Sequence, residues 1–121
     1  MKVIVLGCGL VGGPMAADLA KEETFEVTIV DRNQEVLDVL ASKHTNITTL
    51  NRDLGNPRDV SELVANFDLV LNAVPGFMGY QTLEAIIEAG RDVVDIAFYQ
   101  ENPFDLDALA KARGVTAVSY T

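Results

Sequence analysis

The sequence holds one cysteine, one histidine and no tryptophan, and only 9 basic side chains against 18 acidic ones. A lone cysteine closes no internal disulfide, so the fold rests on its core and a reducing compartment is allowed. With one histidine beside it, there are too few ligands for a structural zinc site. The net charge of −9 lacks the clustered Lys and Arg that grip a phosphate backbone, so no nucleic-acid partner is expected. No apolar run reaches the ~18 residues of a membrane helix. The opening Met1-Lys2-Val3-Ile4-Val5-Leu6 has too short an apolar part for a signal peptide and runs straight into glycines. A cytoplasmic chain with no membrane partner is the expectation. Its 121 residues, 49% of them apolar, suit one domain over 1–121 that buries a core without staples.

Short apolar runs alternate with amphipathic stretches along the whole chain. The runs are Val3–Leu6, Val27–Val30, Ile47–Leu50, Leu69–Leu71, Val93–Ile96 and Val115–Val118. Several are unbroken and β-branched, as strands buried on both faces of a parallel sheet require. Ile47–Leu50 contains two threonines and reads as an edge strand. Between the runs lie helical stripes: Val11, Met15 and Leu19; Val36, Leu37, Leu40 and Ala41; Val60, Leu63 and Val64; Leu83, Ile86 and Ile87; Leu106, Leu109 and Ala110. Asn33, Asn56 before Pro57, and Asn102 before Pro103 read as helix N-caps. Gly90 and Gly114 read as helix stops. Strict β-α alternation and right-handed crossovers predict an α/β fold: a doubly wound, parallel six-stranded sheet in the order 3-2-1-4-5-6.

The strongest motif is Gly7-Cys8-Gly9-Leu10-Val11-Gly12, a G-x-G-x-x-G loop after a predicted strand and before a predicted helix. Gly7 permits the tight turn, Gly9 lets a pyrophosphate approach the backbone, and Gly12 lets the helix pack against the strand. The helix N-terminus offers free N–H groups and a positive dipole end. An acidic protein can therefore hold an anionic dinucleotide without basic side chains. Asp31 ends the second predicted strand, 19 residues after Gly12, where a carboxylate accepts from adenosine ribose hydroxyls. At ~4 Å it repels a 2′-phosphate by about 1–4 kcal/mol, which favours NAD over NADP. Arg32 beside it pulls the other way, since it can pair with that phosphate.

Other candidates sit at the predicted C-terminal edge of the sheet, where ligands bind in open α/β folds. Asp53 can face adenine or be an exposed loop acid. Ala73, Val74 and Pro75, in the stretch Asn72–Gly76, are small or rigid and let a cofactor pass close to the backbone. Cys8 lies near a helix dipole that can lower a thiol pKa, although a packing role is the expectation. His44 reads as a surface helix end.

Together these residues resemble the N-terminal dinucleotide-binding domain of the saccharopine dehydrogenase family, which includes lysine-dehydrogenase-like enzymes. The resemblance rests on Val5–Gly12, Val27–Arg32, Asp68–Pro75 and above all Gly90–Val118. It implies oxidation of an amino-acid C–N bond, or the reverse, with hydride passed to or from a nicotinamide. It further implies that Gly7, Cys8, Gly9, Leu10, Val11 and Gly12 hold the pyrophosphate, with Asp31 and Arg32 near the ribose and Asp53 near adenine. Ala73, Val74 and Pro75 would run along the cofactor, and Ala97 and Phe98 would lie near the nicotinamide. In the family a sixth strand leads into a Pro-Gly loop and a large substrate domain. This sequence ends at Ser119-Tyr120-Thr121, so it resembles the cofactor domain alone and is expected to be inactive alone. An apolar sixth strand left at an open edge predicts a homodimer. A non-catalytic RCK-type regulatory domain of a potassium transport system shares the loop and both acids, and is the alternative. Gly12–Ala20 locally resembles the β-hydroxyacid dehydrogenase group, but that likeness fades after the first helix.

Overall fold

Each apolar run of the sequence contributes a strand, and the central ones are buried from both sides. The computed structural model describes residues 1–9, 12–96 and 106–119. The elements alternate as β1 (Lys2–Leu6), α1 (Gly12–Leu19), β2 (Glu26–Asp31), α2 (Gln34–Lys43), β3 (Ile47–Asn51), α3 (Pro57–Val64), β4 (Leu69–Asn72), α4 (Gly76–Glu88), β5 (Asp92–Asp95), α5 (Asp107–Arg113) and β6 (Ala117–Ser119). The strands form one sheet in the order β3-β2-β1-β4-β5-β6, and every neighbouring pair is parallel.

Two apolar layers sandwich this sheet. Val3, Val5, Val27, Ile29 and Ile47 pack with Ala16 of α1 and Leu37 of α2. Ile4, Leu6, Val30, Val70 and Val93 pack with Val60 and Val64 of α3, Ile86 of α4 and Ala110 of α5. Val3, Ile4, Val5 and Leu6 of the central strand have no solvent exposure at all. Burial of each such side chain contributes about 1.5–3 kcal/mol, so the first strand sits where it stabilises most. β3, with its threonines, is an edge as expected.

The helix starts follow the chain's asparagines. Asn33 Oδ1 accepts from the Glu35 amide at 3.0 Å and the Val36 amide at 3.4 Å. Asn56 Oδ1 accepts from the Arg58 amide at 2.9 Å, with Pro57 in the first turn. Asn102 and Pro103 lie outside the described residues, and the described part of α5 begins at Asp107.

The last strand departs from expectation. β6 covers Ala117–Ser119 and not Val115–Val118. Gly114 closes α5 in the left-handed region, at φ 65°, and the Val115 amide then donates back to the Ala110 carbonyl at 3.1 Å. Val115 thus finishes the helix cap before the chain can join the sheet. β5 likewise ends at Asp95, while the Ile96 amide still donates to the Asn72 carbonyl at 2.9 Å. Among the described residues no helix is long and apolar enough to cross a membrane.

Candidate functional site

The site lies where β1, β2 and β4 end, and its geometry begins with two glycines that admit no side chain. Gly7 has φ 99°, and a Cβ on it would sit 2.6 Å from the Ala73 carbonyl oxygen. A Cβ on Gly12 would stand 1.9 Å from the Gly7 carbonyl oxygen and 3.2 Å from Ala73 Cβ. The first turn of α1 therefore rests directly on the end of β1, with the segment after β4 wedged beside both. Gly7 also donates to the Val30 carbonyl at 2.8 Å, and Ala73 donates to Leu6 at 2.9 Å. Strand ends and helix start are locked together.

Gly9 is different in kind. A Cβ there would meet nothing within 4 Å, and its φ is not positive. Neither backbone strain nor the fold demands glycine at this position. Its N–H has no hydrogen-bond partner among the described residues. An unpaired amide before a helix, on a residue with free space beside its Cα, is what an anionic group needs to approach the main chain. Leu10 and Val11 lie outside the described residues.

Asp31 leans over this loop. Its Oδ2 accepts from the Cys8 amide at 2.8 Å and its Oδ1 from the Asn33 amide at 2.8 Å. The Cys8 amide is thus taken by the protein itself and is not open to a phosphate, a correction to its expected place among the pyrophosphate contacts. Each carboxylate oxygen keeps further acceptor capacity, and the two amides fix its orientation. Cys8 is half-buried, and its thiol pKa is raised by burial and by the neighbouring Asp31 charge. The helix dipole does not win at this thiol, which packs toward α1 and α2.

A pocket opens beside the loop, lined by Gly7, Asp31, Arg32, Arg52, Asp53, Leu54, Val74, Pro75 and Met78. It gathers Asp31, Arg32, Asp53, Val74 and Pro75 from three separate stretches of sequence. Asp53 spends one oxygen on its own turn, accepting from the Gly55 amide at 2.8 Å. Arg52, Leu54 and Met78 are lining residues that sequence reasoning missed. Arg52 is carried there by β3: its amide donates to the Asp31 carbonyl at 3.1 Å, and its guanidinium donates to the Asn51 carbonyl at 2.9 Å. Asn51 in turn donates to Gln34 Oε1 at 3.1 Å, which ties the end of β3 to the start of α2. The available signal was a basic residue at a strand end in an acidic chain. Ala73 lies beneath the loop against Gly7 and Gly12 and not in the pocket wall. Ala97 and Phe98 lie outside the described residues. His44 caps the end of α2 through its own amide, which donates to Leu40 at 3.0 Å.

These features fit a dinucleotide: an open amide for phosphate, an oriented carboxylate for ribose hydroxyls, and an apolar bed of Leu54, Val74 and Met78 for a purine. They define a dinucleotide-binding domain of the Rossmann class. Residues 3–118 match the family model of the saccharopine dehydrogenase NADP binding domain, and the chain belongs to that family. It is an NAD(P)-binding domain of an oxidoreductase family. It is 26% identical over 118 residues to rat mitochondrial alpha-aminoadipic semialdehyde synthase, covering 97% of this chain and 13% of that protein. It is 25% identical over 117 residues to the saccharopine dehydrogenase (NADP+, L-glutamate-forming) of Pyricularia oryzae, covering 97% of this chain and 26% of that protein. The fold matches the apo saccharopine dehydrogenase (L-Glu forming) of Saccharomyces cerevisiae at a TM-score of 0.84 and 21% identity, over 98% of this chain and 26% of that one. The chain thus spans about a quarter or less of the length of these relatives. The regulatory potassium-transport reading finds no support among them.

The contrast between the glycines is testable. Gly9→Val is expected to keep the fold and abolish NADH binding, because the added side chain fills the open space. Gly12→Ala is expected to lose about 1–3 kcal/mol of stability through overpacking against Gly7. Urea unfolding and NADH fluorescence titration measure both, and NADH binding retained by a folded Gly9→Val variant would contradict the role given to the loop.

Proposed function

We propose that this chain is the NAD-binding module of an enzyme that makes or breaks the C–N bond of an amino acid of the lysine or saccharopine type. The observation that carries the reading is the Asp31 carboxylate, held by two backbone amides beside a glycine with open space above it. On this reading Asp31 accepts from the adenosine ribose hydroxyls and the Gly9 amide meets the pyrophosphate. Leu54, Val74 and Met78 underlie the adenine, and Asp53 stands at the rim. Bound there, the nicotinamide supplies the hydride chemistry, while the protein's share is to position it.

Cofactor choice turns on charge. A 2′-phosphate would stand beside Asp31, and like charges at ~4 Å cost about 1–4 kcal/mol. Arg32 and Arg52 line the same pocket and offset part of that repulsion, although both are exposed and screened by solvent. The family's name speaks of NADP; Asp31 argues for NAD in this member. NADH is therefore expected to bind about tenfold or more tightly than NADPH. Calorimetric titration with each cofactor decides it, and equal or reversed affinities would reject the preference.

The reaction itself needs a second wall. A water-excluding reaction site has to be closed around the reacting end of the cofactor. The substrate and proton-transfer groups are assigned to polypeptide beyond this domain, as the greater length of the relatives supports. The chain alone is expected to show no cofactor reduction with lysine or saccharopine, followed at the NADH absorbance band. Turnover above the blank would overturn that division of labour. Self-association belongs to the same reading: Val118 on the edge strand β6 is 46% exposed, and such an edge invites pairing. Light scattering of a concentrated solution is expected to report a dimer, and a monomer would reject it.

A further inference from the structure

Beneath the cofactor pocket lies a polar cluster that the proposed binding contacts do not use. Asn72 and Asp95 are the last residues of β4 and β5 and are direct register partners. Both are buried, at 0% and 1% exposure. Asn72 Nδ2 donates to Asp95 Oδ1 at 3.1 Å and to the Gly79 carbonyl of α4 at 3.2 Å. The Asn72 main chain accepts from the Ile96 amide at 2.9 Å. One amide side chain thus joins the ends of two strands to the helix above them.

A carboxylate is a costly group to bury, and a strand end in this layer has no need of one for packing. Val93, one step before the adjoining residue on the same strand, fills this layer with an apolar side chain at 1% exposure. What Asp95 adds is an acceptor that fixes the Asn72 amide. Asn72 immediately precedes Ala73, whose carbonyl leaves no room for a side chain on Gly7. Val74 and Pro75 follow, and they wall the cofactor pocket with Gly7 and Met78. The glycine loop and the segment after β4 lie closer together than a side chain on Gly7 or Gly12 would allow. A small rotation at Asn72 is therefore felt in the pocket.

We propose that Asp95 is a positioning residue for cofactor binding: acting through the Asn72 side chain, it holds the Ala73–Pro75 segment at the separation from the glycine loop that a dinucleotide requires. It touches no cofactor atom. The inference rests on the reading of this groove as a dinucleotide site.

The test compares two substitutions. Asp95→Asn keeps a carbonyl oxygen that can accept from Asn72, whereas Asp95→Val removes the acceptor and leaves an apolar strand residue. A residue that only stabilised the fold would change the unfolding midpoint and leave the affinity of the folded protein alone. Here the folded Val variant is expected to bind NADH about tenfold more weakly, as leaving the buried Asn72 amide without its acceptor implies. The Asn variant is expected to stay within about threefold of the parent, since an acceptor remains. Fluorescence titration gives the affinities, and thermal unfolding shows that each variant is folded at the assay temperature. A folded Val variant that binds like the parent overturns the proposal, as does an Asn variant that loses as much as the Val variant. If the Val variant does not fold, the parent protein supplies the evidence by nitrogen-edited NMR. The Asn72 side-chain amide resonances are expected to shift with those of Ala73 and Val74 on NADH saturation. Shifts at Ala73 and Val74 without one at Asn72 would overturn the proposal. Failure of the parent to bind NADH at all would instead bring down the dinucleotide reading, and this inference with it.

Discussion

The molecule depends on main chain lying against main chain at the point where Gly7, Gly12 and Ala73 meet. No side chain fits between them: a Cβ on Gly12 would fall well inside contact distance of the Gly7 carbonyl. That closeness puts the N-terminus of α1 at the end of the central strand. It also brings the segment after β4 into the pocket wall beside Gly7. Everything offered to a ligand is arranged around this contact.

Charge is handled locally. The protein carries a net charge of −9, yet the groove it would offer to an anion is built from amides and a helix start, which attract anions irrespective of net charge. Asp31 is the exception. By taking the Cys8 amide it gives up one possible phosphate contact, and in return it gains a fixed orientation toward the groove. Burial, and then the charge of the same carboxylate, raises the pKa of the only thiol. Cys8 packs against the apolar layer that holds Ala16 and Leu37.

Family and fold together say how far the chemistry extends. A Rossmann domain of the saccharopine dehydrogenase family is an NAD(P)-binding domain. The pocket beside the loop is lined by Asp31, Arg52, Leu54 and Val74 among others. Residues 97–105, which follow β5, lie outside the described residues. The described residues speak for the anchoring of a dinucleotide cofactor.

Much of this was legible in the sequence because it depends on local rules. Apolar runs of four β-branched or aliphatic residues have to be buried, asparagines before helical stripes have to cap them, and strict alternation leaves one sheet order. The glycine loop and Asp31 were legible for the same reason, since their spacing is set by one strand, one helix and one strand. What the sequence could not disclose comes from juxtaposition. Arg52 reaches the pocket only because β3 lies beside β2. Asp95 matters only because the parallel register sets it against Asn72, 23 residues away. Asp31's partner is Cys8 because two strand ends close together in space bring an amide under a carboxylate. Local chemistry selects the elements and their order. Which polar groups finally face one another depends on distances of a few tenths of an ångström, and only packing of the whole sheet decides those.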